Sequence, residues 1–158
     1  MSFKEQKKMC LEVVSQEGSV YNSSKTTFIK MRTSLGDIGI SFGHTQLLAI
    51  LLPGLIFIEE ENEESSSGEN KASNFYINGG VLEVSPQKVV ILADYAKRGA
   101  DLDESLIKQA RDDAKKILSK SENQLKKIDL ESAQKKLLES ESRLKAIKIL
   151  KGINAYYN

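Results

Sequence analysis

The stretch NGGVLEVSPQKVVILADYAKRGADLDESL (Asn78–Leu106) contains both grammars of this chain. Val81–Val84 and Lys88–Leu92 are short runs rich in β-branched residues. Ser85-Pro86-Gln87 between them is turn chemistry, so the first part reads as two strands. Past Gly99 the punctuation changes. Asp101 followed by Glu104 has the form of a helix capping box. Leu102, Leu106, Ala110, Ala114, Ile117 and Leu118 then recur at steps of three and four, the period of an amphipathic helix.

Working outward, the N-terminal side continues the β grammar. Leu11–Val14, Thr26–Ile29, Leu47–Leu52, Leu55–Ile58 and Asn74–Ile77 are further short apolar or alternating runs. Turn residues separate them at Gln16-Glu17-Gly18, Leu35-Gly36-Asp37, Pro53-Gly54 and Gly79-Gly80. Pro53-Gly54 suits a tight turn, because Pro presets φ and Gly accepts a positive one. Gly79-Gly80 fits a bulge or a close backbone approach. Many short strands between Gly/Pro turns imply a sandwich or barrel. Glu59–Asn70 carries six acids and reads as a long, mobile hairpin loop. It lacks the spaced ligands of a calcium loop.

On the C-terminal side, Leu130, Ala133, Leu137, Leu144, Ile147 and Leu150 repeat the helical period, with Asp129 as N-cap. The best loop between the helices is 119–123. Nine of the ten Gly and both Pro lie at or before Gly99, and such a compositional break marks a domain boundary. The expected fold is therefore α+β: a β-sandwich over 1–100, then an antiparallel two-helix hairpin over 101–158. The hairpin's stripe uses several Ala and is interrupted at Ser140 and Glu141. It is thermodynamically thin and needs something to pack on.

Composition excludes several functions. Lys plus Arg number 23 and Asp plus Glu 22, a net charge of +1, so this is not a basic nucleic-acid binder. One Cys and one His exclude a disulfide framework and the multi-Cys and His-His metal motifs. Cys10 reads as a small buried apolar residue. Residues 1–9 have no apolar run behind them, so no signal peptide is expected. The longest apolar stretch, Leu47–Ile58, is short of the roughly 20 residues of a membrane span. A soluble protein in a reducing compartment is expected, meeting a membrane only through a partner. No nucleophile elbow or phosphate-loop motif is present. No self-contained enzyme is expected, and no cofactor.

The order of motifs is more specific than any one of them. GDIGISFGHTQLL (Gly36–Leu48) is followed by LPG (Leu52–Gly54), NGGVLEVSP (Asn78–Pro86), VVILADYAKRGADLDE (Val89–Glu104) and the helical hairpin. LEVVSQEG (Leu11–Gly18) precedes them. This chain resembles the bacterial-type epsilon subunit of F-type ATP synthase, called delta in mitochondria, over roughly residues 9–151.

That resemblance implies a central-stalk subunit, non-catalytic, peripheral on the cytoplasmic face of a bacterial inner membrane. Its partners would be the gamma subunit, the c-ring and, with the hairpin extended, the alpha and beta subunits. The sandwich would couple catalytic-core rotation to the ring, and the hairpin would inhibit ATP hydrolysis. The family's contact loop implies a c-ring and gamma interface of Asp37, Ile38, Ile40, Phe42 and His44. Asp37 stands for the usual Glu. Phe42 and Gln46 stand where Pro is usual, which removes two preset φ angles. His44 is either an interface residue or a hydrogen-bonded structural one. Inhibitory contacts would come from Arg111, Lys115, Lys116 and Lys120, whose null alternative is a solvated face. Some relatives bind ATP through a motif that Leu102-Asp103 begins, helped by arginines on the second helix, where Arg143 lies. Leu106 and Ile107 occupy the motif's Arg and Ala positions, so weak or absent ATP binding is implied. The alternative function is an ATP-sensing module with a helical lid.

Overall fold

The computed structural model describes residues 7–65, 69–119 and 127–156. It divides into two units, Met1–Arg98 and Gly99–Asn158. The first contains strands β1 (Met9–Ser15), β2 (Gly18–Thr33), β3 (Gly36–Ser41), β4 (Leu47–Glu60), β5 (Lys71–Val84), β6 (Lys88–Ala93) and β7 (Ala96–Arg98). Their order is β1-β6-β5-β4-β2-β3, with β7 on β5 and a further β1–β2 pairing. Because β1 pairs with both β6 and β2, the sheet closes on itself. The length of β2 permits this. Its first half faces β1, from Ser15↔Gly18 to Met9↔Thr26, and its second half lies between β3 and β4. The expected β-sandwich is borne out as a closed, folded sheet. Alternate residues of every long strand point inward, including Leu11, Val13, Ile29, Ile58, Phe75 and Ile91, all at most 1% exposed. Each such side chain contributes about 1.5–3 kcal/mol on leaving water.

Two expected turns lie inside strands. β4 runs through Pro53-Gly54 and stays in register with β5, from Leu51↔Gly80 to Ile56↔Phe75. Its other neighbour, β2, pairs at Thr33↔Leu51 and next at Lys30↔Phe57. β4 thus bulges away from β2, and a bulge is where a sheet accepts proline. β5 likewise runs through Gly79 and Gly80, whose φ values are 92° and 145°. A Cβ on Gly80 would stand 2.1 Å from the Leu92 carbonyl oxygen. The glycine pair marks a close backbone approach inside one strand.

β3 falls where only turn glycines around a bend are expected. Gly36 and Gly39 interrupt its period-two pattern. Ile38 and Ile40 still share the inward face, and the Phe28 ring occupies the space beside Gly39 that a side chain would fill. Cys10, expected inside, is exposed. It is an odd-parity residue on a strand whose neighbours Met9 and Leu11 face the core.

The second unit holds a 3-10 turn (Gly99–Asp101) and helices α1 (Glu104–Ser119) and α2 (Lys127–Tyr156). The expected loop falls mostly outside the described residues. The α1 cap is Asp103, not Asp101. Its Oδ1 accepts from the backbone N–H groups of Ser105 (2.9 Å) and Leu106 (3.1 Å). Asp129 lies in the first turn of α2, not ahead of it. The buried residues recur at heptad spacing: Ile107 and Ala114 on α1, and Ala133, Ser140 and Ile147 on α2. Small residues at three of these five positions allow the antiparallel helices a close approach. Ser140 belongs to this seam and does not interrupt it, because its hydroxyl donates to the Lys136 carbonyl at 2.8 Å. Leu106 and Ala110, expected on the stripe, are exposed.

Candidate functional surfaces

The five residues implied for a stator-side or ring-side interface separate in space. β3 is one strand with a turn at each end. Asp37 belongs to the β2–β3 turn, while Phe42 and His44 belong to the β3–β4 turn, roughly 15–20 Å along the strand. At the first turn, Arg32 Nε donates to Asp37 Oδ1 at 3.2 Å across the register pair Arg32↔Asp37. At the second, the Gly43 N–H donates to the Pro86 carbonyl at 2.8 Å, which ties this turn to the β5–β6 turn. His44 Nδ1 lies 2.8 Å from the Thr45 carbonyl. A carbonyl only accepts, so the proton sits on Nδ1, and Nε2 is the nitrogen left for another group. Lys7 Nζ stands 5.8 Å from the Phe42 ring centroid, within cation–π range.

Ile38 is half-buried against the core, and Ile40 is 0% exposed. Ile40 therefore leaves the contact set, because parity along β3 puts it on the core side.

A larger surface was missed. On the outer side of β4, β5 and β6, Leu48 is 73% exposed and Ile50 63%, and Leu52, Val81 and Leu92 are also exposed. The register joins them: Ile50 pairs with Val81, and Val81 with Leu92. The signal was present in the sequence. Leu47 to Leu52 is apolar without alternation, the pattern of a strand covered on both faces. Here only one face is covered by the chain's own core.

At the Glu60–Lys71 end of the β4–β5 hairpin, the acidic loop carries its own counter-ions. Lys8 pairs with Glu61, and Lys25 Nζ lies 2.8 Å from Glu63. Lys25, and to a lesser extent Lys8, hold the Glu63 carboxyl below its ordinary pKa. Tyr21, half-buried beside Glu60, has its phenol pushed up to about 12, first by burial and then by that carboxylate.

On the hairpin, two of the implied basic contacts already have acidic partners. Arg111 donates from Nε and Nη2 to Asp112 Oδ1 at 2.9 and 2.7 Å. Lys116 lies 3.4 Å from Asp113. Lys115 is exposed, and Lys120 lies outside the described residues. Of the implied nucleotide residues, Asp103 is occupied as the helix cap. Arg143 Nη2 lies 3.8 Å from Glu139. Glu104 contacts both Lys108 (2.7 Å) and Lys151, which places the start of α1 beside the end of α2. Arg143 then stands two turns from that level, roughly 12 Å along the axis. The fold does not bring Asp103 and Arg143 together. Lys108 and Lys151 hold the Glu104 carboxyl down at about 2.

Among the described residues, no group of His, Cys, Asp and Glu is placed to hold a metal ion, and no helix is long and apolar enough to cross a membrane.

Comparison with known proteins places these surfaces. Residues 8–99 match the family described as ATP synthase, Delta/Epsilon chain, beta-sandwich domain. The ATP synthase epsilon chain of Francisella tularensis subsp. tularensis is 32% identical over 148 residues, covering 94% of this chain and 93% of the relative. The epsilon chain of Francisella philomiragia gives the same identity and coverage. Among solved structures, a chain of the Euglena gracilis mitochondrial ATP synthase (OSCP/F1/c-ring) superposes with a TM-score of 0.60 at 20% identity, covering 96% of this chain and 86% of that one. A chain of the Tetrahymena thermophila mitochondrial ATP synthase central stalk and c-ring gives 0.53 at 16%, covering 92% and 99%. At those identities the two structures speak to the fold.

Proposed function

This chain belongs to the ATP synthase delta/epsilon chain family as an epsilon-type subunit of that complex, and from this premise we propose that it works in the central stalk as a non-catalytic coupling and regulatory subunit. The sandwich docks on the gamma subunit and the c-ring, and the hairpin restrains ATP hydrolysis at the alpha and beta subunits. The subunit reaches the membrane through that complex, on the cytoplasmic face in a bacterial cell.

The observation that carries the docking reading is the outward apolar face of Leu48, Ile50, Leu52, Val81 and Leu92. Contiguous exposed apolar surface of this kind marks a protein–protein interface. Covering it with gamma supplies the second layer that the unbroken apolar run of β4 calls for. The two turns of β3 extend the surface: the β2–β3 turn with Asp37 toward the ring, and the β3–β4 turn with Phe42 and His44 toward gamma. Ile38 supports them from the inner side.

The regulatory reading rests on the hairpin's construction. Its seam is made largely of small side chains, so it buries little apolar area and is readily exchanged for other contacts. Lys115, with Arg111 and Lys116 once released from their aspartates, supplies the cationic surface for inhibition. A nucleotide-sensing lid is less favoured, because Asp103 is spent on its cap and Arg143 lies two turns away.

The test compares ATP hydrolysis by the purified motor core with the full chain and with a 1–100 truncation. Stronger inhibition by the full chain is expected. Equal activity, with both forms bound to gamma, would remove the braking role and leave the docking role.

A further inference from the structure

Leu35 is 92% exposed at the tip of the β2–β3 turn. A single exposed leucine on a mobile loop needs no explanation. This one is mounted on a braced turn. Thr33, only 5% exposed, donates its hydroxyl to the Gly36 carbonyl at 2.8 Å and accepts the Leu35 N–H at 3.1 Å. The Ser34 N–H donates to the Ile50 carbonyl at 2.9 Å. Gly36 takes φ 123°, which closes the turn. The Arg32–Asp37 pair braces its base. Every backbone position from Thr33 to Gly36 is thus committed, and only the Leu35 side chain remains to be ordered on binding. Such preorganisation lowers the entropic cost of association. The bond to Ile50 also seats the turn beside the exposed Ile50 and Leu52, so Leu35 continues an apolar surface.

We propose that Leu35 is the anchor of the ring contact, inserting into an apolar-edged recess among the polar loops of the c-ring, while Asp37 serves the turn through Arg32. This rests on the reading that the β2–β3 turn faces the ring. The charges at the tip cancel in the Arg32–Asp37 pair, so the contact is apolar in character and keeps its strength as salt rises.

The test measures binding of the full-length chain to purified c-ring in detergent, at low and high salt, for wild type, Leu35→Ala, Leu35→Met and Asp37→Asn. Leu35→Ala is expected to weaken binding about tenfold and Leu35→Met by less than about twofold, as for truncation and replacement of a buried apolar anchor. Wild-type affinity is expected to change by less than about threefold with salt. Thermal melts of the variants should coincide with wild type, because Leu35 buries nothing in the free chain. If Asp37→Asn loses binding, Leu35→Ala does not, and affinity falls steeply with salt, the contact is ionic: the proposal fails and the ring reading stands. If wild type does not bind the ring even with gamma present, both fail. If Leu35→Ala abolishes only self-association of the chain, the occupant is a second copy and the proposal is overturned.

Discussion

Replacing Gly80 with Ala tests the close approach that holds β5 against β6. The new Cβ would meet the Leu92 carbonyl oxygen at 2.1 Å and the Ala93 Cα at 2.8 Å, both backbone atoms that cannot rotate aside. Restoring ordinary contact requires β6 to retreat by about 1 Å. That retreat loosens the ladder at Gly80↔Ala93, where one or two hydrogen bonds are worth about 1 kcal/mol each. Alanine also resists the φ of 145°, at about 1–3 kcal/mol. Together the loss is about 3 kcal/mol or more, a large share of a typical domain's 5–15 kcal/mol. The melting temperature should fall by roughly 10–20 °C. Tyrosine fluorescence in guanidinium chloride reads the change, because Trp is absent and Tyr21 and Tyr76 sit in the sandwich. Gly54→Ala is the control: it has open space and no positive φ, so it should be neutral or slightly stabilising. A Gly80→Ala loss below about 1 kcal/mol, or one equal to Gly54→Ala, would refute the packing described between β5 and β6.

Two further substitutions probe the hairpin. Asp103→Ala should cost about 1 kcal/mol of helix stability and Asp101→Ala less than about 0.5, read by far-UV circular dichroism melts; the reverse order would return the cap to Asp101. Glu104, ordinarily near 4.5, is held at about 2 when folded. A lowered folded pKa means its contribution is complete above 4.5 and is lost as pH falls toward 2. Glu104→Gln should therefore melt earlier than wild type at neutral pH and together with it near pH 2, the gap narrowing in high salt because the group is exposed. A gap that persists at pH 2 would assign Glu104 a role other than charge.

The order of strands, turns and helices was legible because it is written in local terms. Period-two runs, β-branched residues and the break in Gly and Pro usage act within a few residues of one another. The family resemblance was legible for the same reason, since its motifs are contiguous. Gly79-Gly80 was readable as a close approach, because glycine is what such an approach demands.

Other features depended on partners distant in the chain. Whether Pro53 makes a turn or sits in a strand depends on where β2 leaves β4, and no residue near Pro53 records that. β3 was hidden by Gly36 and Gly39, whose packing is completed by Phe28 from the next strand. The cap passed from Asp101 to Asp103 because the 3-10 turn at Gly99 delays the helix by one step. Ile40 and Leu35 are both apolar in the sequence, five residues apart. Strand parity and a braced turn sent one into the core and the other into solvent. Local sequence determined which elements form. Tertiary structure decided which of their faces remain open, because exposure is a property of what the rest of the chain leaves uncovered.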